Sequence, residues 1–196
     1  MACETAWAIS SGTFVSFEPH LAILCNQFRI EKALEFGPGK STRMLLELTN
    51  AKIRSIETSK EWYERYKSSF DPMRVKYLHQ AAEQPIATLI DGDADFDLVF
   101  IDGGDRVAAL HASRDLLSPD GFAYLHDAHR EEYEPGIAAY SARFFPERHS
   151  CVLAQNPDVI DRIRACLTTD YSCRCKYCSP SERRAYFSRM AGLPNA

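Results

Sequence analysis

Residues 33–42 read ALEFGPGKST, and their reading decides the fold. An apolar run of Ala33, Leu34 and Phe36 stops at Gly37-Pro38-Gly39. Lys40, Ser41 and Thr42 then open a pattern in which Met44, Leu45, Leu46 and Leu48 recur at helix spacing. The order is strand, tight turn, helix. Glycines in such a turn let the backbone come close to a ligand, and the helix start behind it offers unpaired N–H groups. The turn is either structural or a cofactor loop, and its glycines favour the loop.

Three kinds of loop are separated by these residues. A triphosphate-binding loop ending in Gly39-Lys40-Ser41 needs its first glycine at position 34, where Leu34 stands inside the strand. The dinucleotide pattern needs a third glycine at position 42, which is Thr42. The pattern that fits is acidic-x-Gly-x-Gly, Glu35 to Gly39. A nucleotide hydrolase built on Lys40 is the weakest of the three readings.

Moving outward, Leu21, Ile23, Leu24 and Phe28 predict an amphipathic helix over 19–28, with Pro19 in its first turn. Residues 52–56 alternate as a second strand ending at Glu57, about 20 residues beyond the glycine turn. Glu57 either caps the next helix or accepts hydrogen bonds from both ribose hydroxyls of an adenosine. That helix starts at Thr58-Ser59-Lys60-Glu61 and is expected to turn Trp62, Tyr63 and Tyr66 toward the sheet. A third strand covers 75–78, and His79 after it reads as a surface or packing histidine.

The second informative stretch is DFDLVFIDGGD, residues 95–105. Its fully apolar Leu98 to Ile101 is what a central parallel strand requires. Asp102-Gly103-Gly104 ends that strand and sets a carboxylate at the carboxyl edge, where open α/β sheets bind ligands. A helix over 107–117, a turn at Ser118-Pro119-Asp120-Gly121 and a strand over 122–125 follow. His126-Asp127-Ala128-His129 closes the strand at the same edge. Strands alternating with helices predict a doubly wound α/β sheet.

In order, ALEFGPGKST, IRSIETSKEW, DLVFIDGG and LLSPDGFAYLHDAH resemble the class I S-adenosylmethionine-dependent methyltransferases, over about half the chain. Within them the likeness is to the small bacterial group whose fourth strand ends I-D-G. The resemblance implies a mostly parallel seven-stranded sheet and transfer of a methyl group to a small-molecule acceptor. It implies that Glu35, Gly37 and Gly39, with Ser41 and Thr42 behind them, contact the methionine moiety, Glu57 the ribose, and Asp102 the region of the sulfonium. Asp102, Asp105, Asp127 and His129 are the catalytic candidates at that edge, with His126 beside them; each is alternatively a helix cap or a surface group. Two departures stand out. Members of the group often read I-D-G-D-H, whereas here Gly104 and Asp105 follow. Catechol-type relatives hold a divalent metal with acids at the positions of Asp102 and Asp127, but the amide that completes their site is Ala128 here. A non-catalytic binding or regulatory protein of the same fold is the alternative.

The chain has 196 residues, a net charge of −4 and 45% hydrophobic residues. That suits a domain over 1–160 with an appended segment over 161–196, and nothing global points to nucleic acid or an anionic membrane. No apolar run approaches the roughly 20 residues that span a bilayer, and the first ten residues lack the basic start of a secretory signal. Of the seven cysteines, Cys3, Cys25 and Cys151 read as buried hydrophobes or free thiols, which fits a reduced, cytoplasmic protein. Cys166, Cys173, Cys175 and Cys178 are spaced to surround one zinc ion, to hold an iron–sulfur cluster, or to remain free thiols. The same segment carries Arg162, Arg164, Arg174, Lys176, Arg183 and Arg184 among aromatic residues. It is read as a solvated face, with RNA or a phosphorylated substrate as the second choice. A last helix is expected over 182–190.

Overall fold

The computed structural model describes residues 17–90 and 92–169. Seven strands form one sheet in the order β3-β2-β1-β4-β5-β7-β6. They are β1 (Lys32–Phe36), β2 (Lys52–Glu57), β3 (Val75–His79), β4 (Phe96–Ile101), β5 (Leu117–His126), β6 (Ala142–Glu147) and β7 (Ser150–Ala154). The first five run parallel, and β7 is antiparallel to both β5 and β6. This is the mostly parallel, doubly wound seven-stranded sheet that the sequence predicts.

Seven helices flank the sheet: α1 (Glu18–Gln27), α2 (Lys40–Leu48), α3 (Lys60–Tyr66), α4 (Ile86–Ile90), α5 (Arg106–Ser113), α6 (Glu134–Ala138) and α7 (Pro157–Thr169). Alternation along the buried strands divides the core in two. Leu98 and Phe100 of β4 face Leu21, Leu45 and Ile163 from α1, α2 and α7. Val99 and Ile101 face Ile90, Leu110 and Ile137 from α4, α5 and α6. Both faces of the central strands are covered, which is why they are apolar throughout.

The Ser118-Pro119-Asp120-Gly121 turn lies within β5. Pairing jumps from Phe96–Leu117 to Leu98–Phe122, so these four residues leave the ladder where Pro119 has no N–H to offer it. Trp62 departs from expectation. It is 48% exposed and stacks on Tyr66, while Tyr63 alone of the three meets the sheet, against Tyr77 and His79. The short α3 has only its Tyr63 side directed inward. The helix α7 also runs unbroken across the boundary expected at 160–161, and Ile163 and Leu167 are buried in the core. The fold therefore claims part of the segment assigned to the appendage. Residues from 170 onward, including the expected helix at 182–190, lie outside the described residues.

Candidate functional site at the carboxyl edge of the sheet

The strand ends bring the two informative stretches together. Gly37 N–H donates to the Ile56 carbonyl at 3.0 Å, and Asp102 N–H donates to the Phe36 carbonyl at 2.9 Å, so the ladder extends into both turns. Gly37 has φ +85°, and a Cβ built on it would lie 2.7 Å from Gly103 N. Only glycine meets both demands. Gly39 differs: a Cβ there would have nothing within 4 Å, so it borders open space in front of α2.

Glu35 sits beneath this loop, fully buried. Its Oε1 accepts from Ser41 Oγ at 2.6 Å, and its Oε2 accepts from Thr42 Oγ1 at 2.7 Å and Ser55 Oγ at 2.5 Å. Thr42 Oγ1 in turn accepts from Gly39 N–H at 2.9 Å. Burial pushes the Glu35 pKa up, the three hydroxyl donors oppose that shift, and the charge of Asp102 adds to it. Expected as direct contacts, Glu35, Ser41 and Thr42 instead form a buried polar layer that fixes the loop from below. Lys40 pairs with Glu18 of α1.

Glu57 ends β2 half-buried. One carboxylate oxygen accepts from Ser59 N–H at 2.7 Å, and the other has no hydrogen bond among the described residues. Ser59, not Glu57, is the residue that caps α3.

At the ends of β4 and β5, Asp102 and Asp127 stand either side of a guanidinium. Arg106, from the first turn of α5, donates to the Asp102 carbonyl at 2.7 Å, to Asp102 Oδ1 at 3.3 Å and to Asp127 Oδ2 at 3.5 Å. Its other nitrogen donates to Tyr133 Oη at 3.0 Å, and only 12% of the side chain is exposed. His126 Nδ1 lies 2.7 Å from Asp102 Oδ1. Burial lowers the His126 pKa, but the Asp102 hydrogen bond and the charges of Asp102 and Asp127 outweigh it, and the net shift is upward. Asp105, another expected catalytic acid, caps α5 by accepting from Ala108 N–H at 3.0 Å. His129 lies farther out, its Nδ1 3.0 Å from Nδ1 of His149 in the β6–β7 turn.

Sequence reasoning missed Arg106, Ser55 and His149. Arg106 follows the helix-capping Asp105 directly, a position four residues beyond Asp102 that faces back to it. Ser55 and His149 carry no local signal, because register alone brings them in. A separate recess of about 210 Å³ lies at the opposite edge, lined by Lys32, Lys52, Arg54, Arg74 and Asp93. Asp93 there pairs with Lys32 and Arg54, and Arg74 donates to the carbonyls of Leu46, Thr49 and Ala51. It takes no part in the acidic site. Of the four clustered cysteines, Cys166 is half-buried on α7, and Cys173, Cys175 and Cys178 lie outside the described residues. Burial pushes the thiols of Cys25 and Cys151 up to about 12, leaving them inert. Among the described residues no helix is long and apolar enough to cross a membrane.

No protein-family model matches the chain, and no curated protein matches it. Solved structures do. A methyltransferase from Geobacter sulfurreducens superimposes with a TM-score of 0.54 at 12% identity, over 74% of this chain and 80% of that one. The chain has the Rossmann-like methyltransferase fold. Human methyltransferase-like protein 13, in complex with SAH, gives a TM-score of 0.54 at 14% identity, over 82% of this chain and 92% of its own. Spermidine synthase from Thermotoga maritima also gives 0.54, at 15% identity, over 91% and 75%. The fold is thus shared by proteins with different transfer chemistries.

Proposed function

We propose that this chain is an S-adenosylmethionine-dependent methyltransferase of the small bacterial I-D-G type, acting on a small-molecule acceptor. The observation that carries the reading is the convergence of the Gly37–Gly39 turn, Glu57 and Asp102 on one edge of the sheet, around the open space beside Gly39. The likeness in fold to a methyltransferase in complex with SAH supports the same cofactor.

In this reading the backbone at Gly37 and Gly39 receives the methionine portion, and the Glu57 oxygen without a partner accepts from the ribose. The cofactor supplies an activated methyl group on a sulfonium. Glu35, Ser41, Thr42 and Ser55 hold the loop in shape, and loop position matters because displacement depends on alignment of the reacting atoms. Asp102 orients His126 through Nδ1, and this pair is the means of taking a proton from an acceptor hydroxyl. His126 arrives from β5, so the histidine absent after Asp102-Gly103 in the sequence is present in space. Arg106 keeps the carboxylates of Asp102 and Asp127 apart and in place. Asp105 contributes as the cap of α5, and His129 lies outside the proton-accepting pair. The reading retains a structural zinc held by Cys166, Cys173, Cys175 and Cys178, supported by their spacing, and a cytoplasmic setting, supported by cysteine usage.

Incubation with methyl-labelled S-adenosylmethionine and a panel of hydroxylated small molecules tests this. Label transferred to an acceptor, and lost in His126→Asn, is the expected result. Cofactor bound without transfer to any acceptor favours the second reading, a non-catalytic binding protein, which draws on the departure at Gly104 and Asp105 from the I-D-G-D-H pattern.

A further inference from the structure

Asp127, His129 and His149 place one ligand atom each within 4.8 Å of one another, on the outer side of the Asp102–His126 pair. Two of them come from the end of β5 and the third from the β6–β7 turn. The antiparallel register His126–Ser150 brings that turn alongside, and Ala128 N–H donates to the His149 carbonyl at 3.1 Å.

The two imidazoles have an informative geometry. Their Nδ1 atoms are 3.0 Å apart, while the ring centroids are 4.4 Å apart with planes at 75°. Two imidazoles hydrogen-bonded head to head at that nitrogen separation hold their centroids about 5.3 Å apart, since each nitrogen lies on the line from its centroid to the partner. Rings that instead share an ion about 2.1 Å away at a right angle have nitrogens about 3.0 Å and centroids about 4.6 Å apart. The observed pair fits the second arrangement: both lone pairs are directed at a common third point. A tetrahedral ion would spread the centroids to about 5.2 Å, so the angle fits a six-coordinate ion.

We infer that Asp127, His129 and His149 form a site for a six-coordinate divalent first-row transition metal. Two imidazoles and one carboxylate on one face of such an ion leave positions open for exchangeable oxygen ligands. The site is separate from the Asp102 and Asp127 pair expected from the sequence, because its nitrogen ligands are His129 and His149. Asp127 Oδ2 receives two long contacts, from Arg106 at 3.5 Å and Arg130 at 3.4 Å, and Oδ1 has no hydrogen bond among the described residues. The carboxylate completes the face by turning toward the rings, away from those guanidinium groups. Their positive charges oppose the metal and keep its affinity moderate. An oxygen anion at an open position would meet both the ion and Arg130.

The inference stands without the cofactor reading, and its test contains no cofactor. The full-length chain is titrated with Co²⁺ by calorimetry, alongside His129→Ala, His149→Ala, His126→Ala and a form with Cys166, Cys173, Cys175 and Cys178 changed to Ser. Proton NMR of the wild-type cobalt form supplies a second readout. The expected result is a single site weakened more than about tenfold by His129→Ala and by His149→Ala, and retained in the serine form. Hyperfine-shifted ring protons from two imidazoles accompany it. The inference is overturned if no cobalt binds, if binding survives both histidine changes, or if it depends on His126 or the cysteines instead. Absence of shifted imidazole signals overturns it even where a variant fails to fold.

Discussion

Arg106 donates to the backbone carbonyl of Asp102 at 2.7 Å, and the same nitrogen lies 3.3 Å from the Asp102 carboxylate. It also lies 3.5 Å from Asp127, so one guanidinium joins the ends of two neighbouring strands. Removing it leaves two half-buried carboxylates without their shared cation. Arg106→Ala is expected to destabilise the fold by about 2–4 kcal/mol, in the range seen when one partner of a largely buried pair is deleted. Arg106→Lys restores only part of this, because a point charge cannot reach Tyr133, the carbonyl and both acids at once. Thermal unfolding of the three proteins measures it; equal midpoints would remove Arg106 from this role.

The glycines separate packing from binding. Gly37→Ala and Gly103→Ala each push a Cβ into backbone about 2.7 Å away, and at Gly37 the positive φ adds strain. Both are expected to lower stability, by roughly 1–3 kcal/mol or more. Gly39→Ala meets nothing within 4 Å, so its unfolding midpoint should match the wild type while cofactor binding weakens. A Gly39→Ala protein that binds S-adenosylmethionine as the wild type does would show that the open space beside Gly39 is unused.

Stability should fall in mild acid because of a group far from the site. His20 is buried, with Nδ1 2.9 Å from Tyr124 Oη; Tyr124 donates to Ser150 at 2.7 Å and Ser150 to Glu147 at 2.9 Å. Burial pulls the His20 pKa down to about 4, with Glu147 opposing, against an ordinary 6.5. A histidine held neutral in the fold binds its proton in the unfolded chain first. Stability is therefore full above about 6.5 and lost as pH falls toward 4, by about 3 kcal/mol for this residue. Urea unfolding between pH 7 and 4 should show this slope in the wild type and a flatter one in His20→Gln. Identical slopes would contradict it.

What the sequence disclosed was local. The glycine turn after β1, the apolar β4 ending in Asp102, and Glu57 at the end of β2 are each defined by residues a few positions apart, and periodicity and turn chemistry suffice for them. Ser55 entered the Glu35 layer only through the pairing of β1 with β2, which sets Glu35 beside Ser55. His149 reached His129 only through the β5–β7 register, twenty residues away along the chain. Trp62 shows the opposite error. An aromatic side chain at helical spacing was read as core, yet α3 is too short and too peripheral to bury it.

The central claim is the cofactor, and calorimetric titration with S-adenosylmethionine and S-adenosylhomocysteine tests it most directly, on the wild type and Glu57→Ala. The account predicts saturable binding of both by the wild type. It predicts loss of that binding in Glu57→Ala with the unfolding midpoint unchanged, since Glu57 supports only the Ser59 N–H in the fold. A folded wild-type protein that binds neither compound would contradict it.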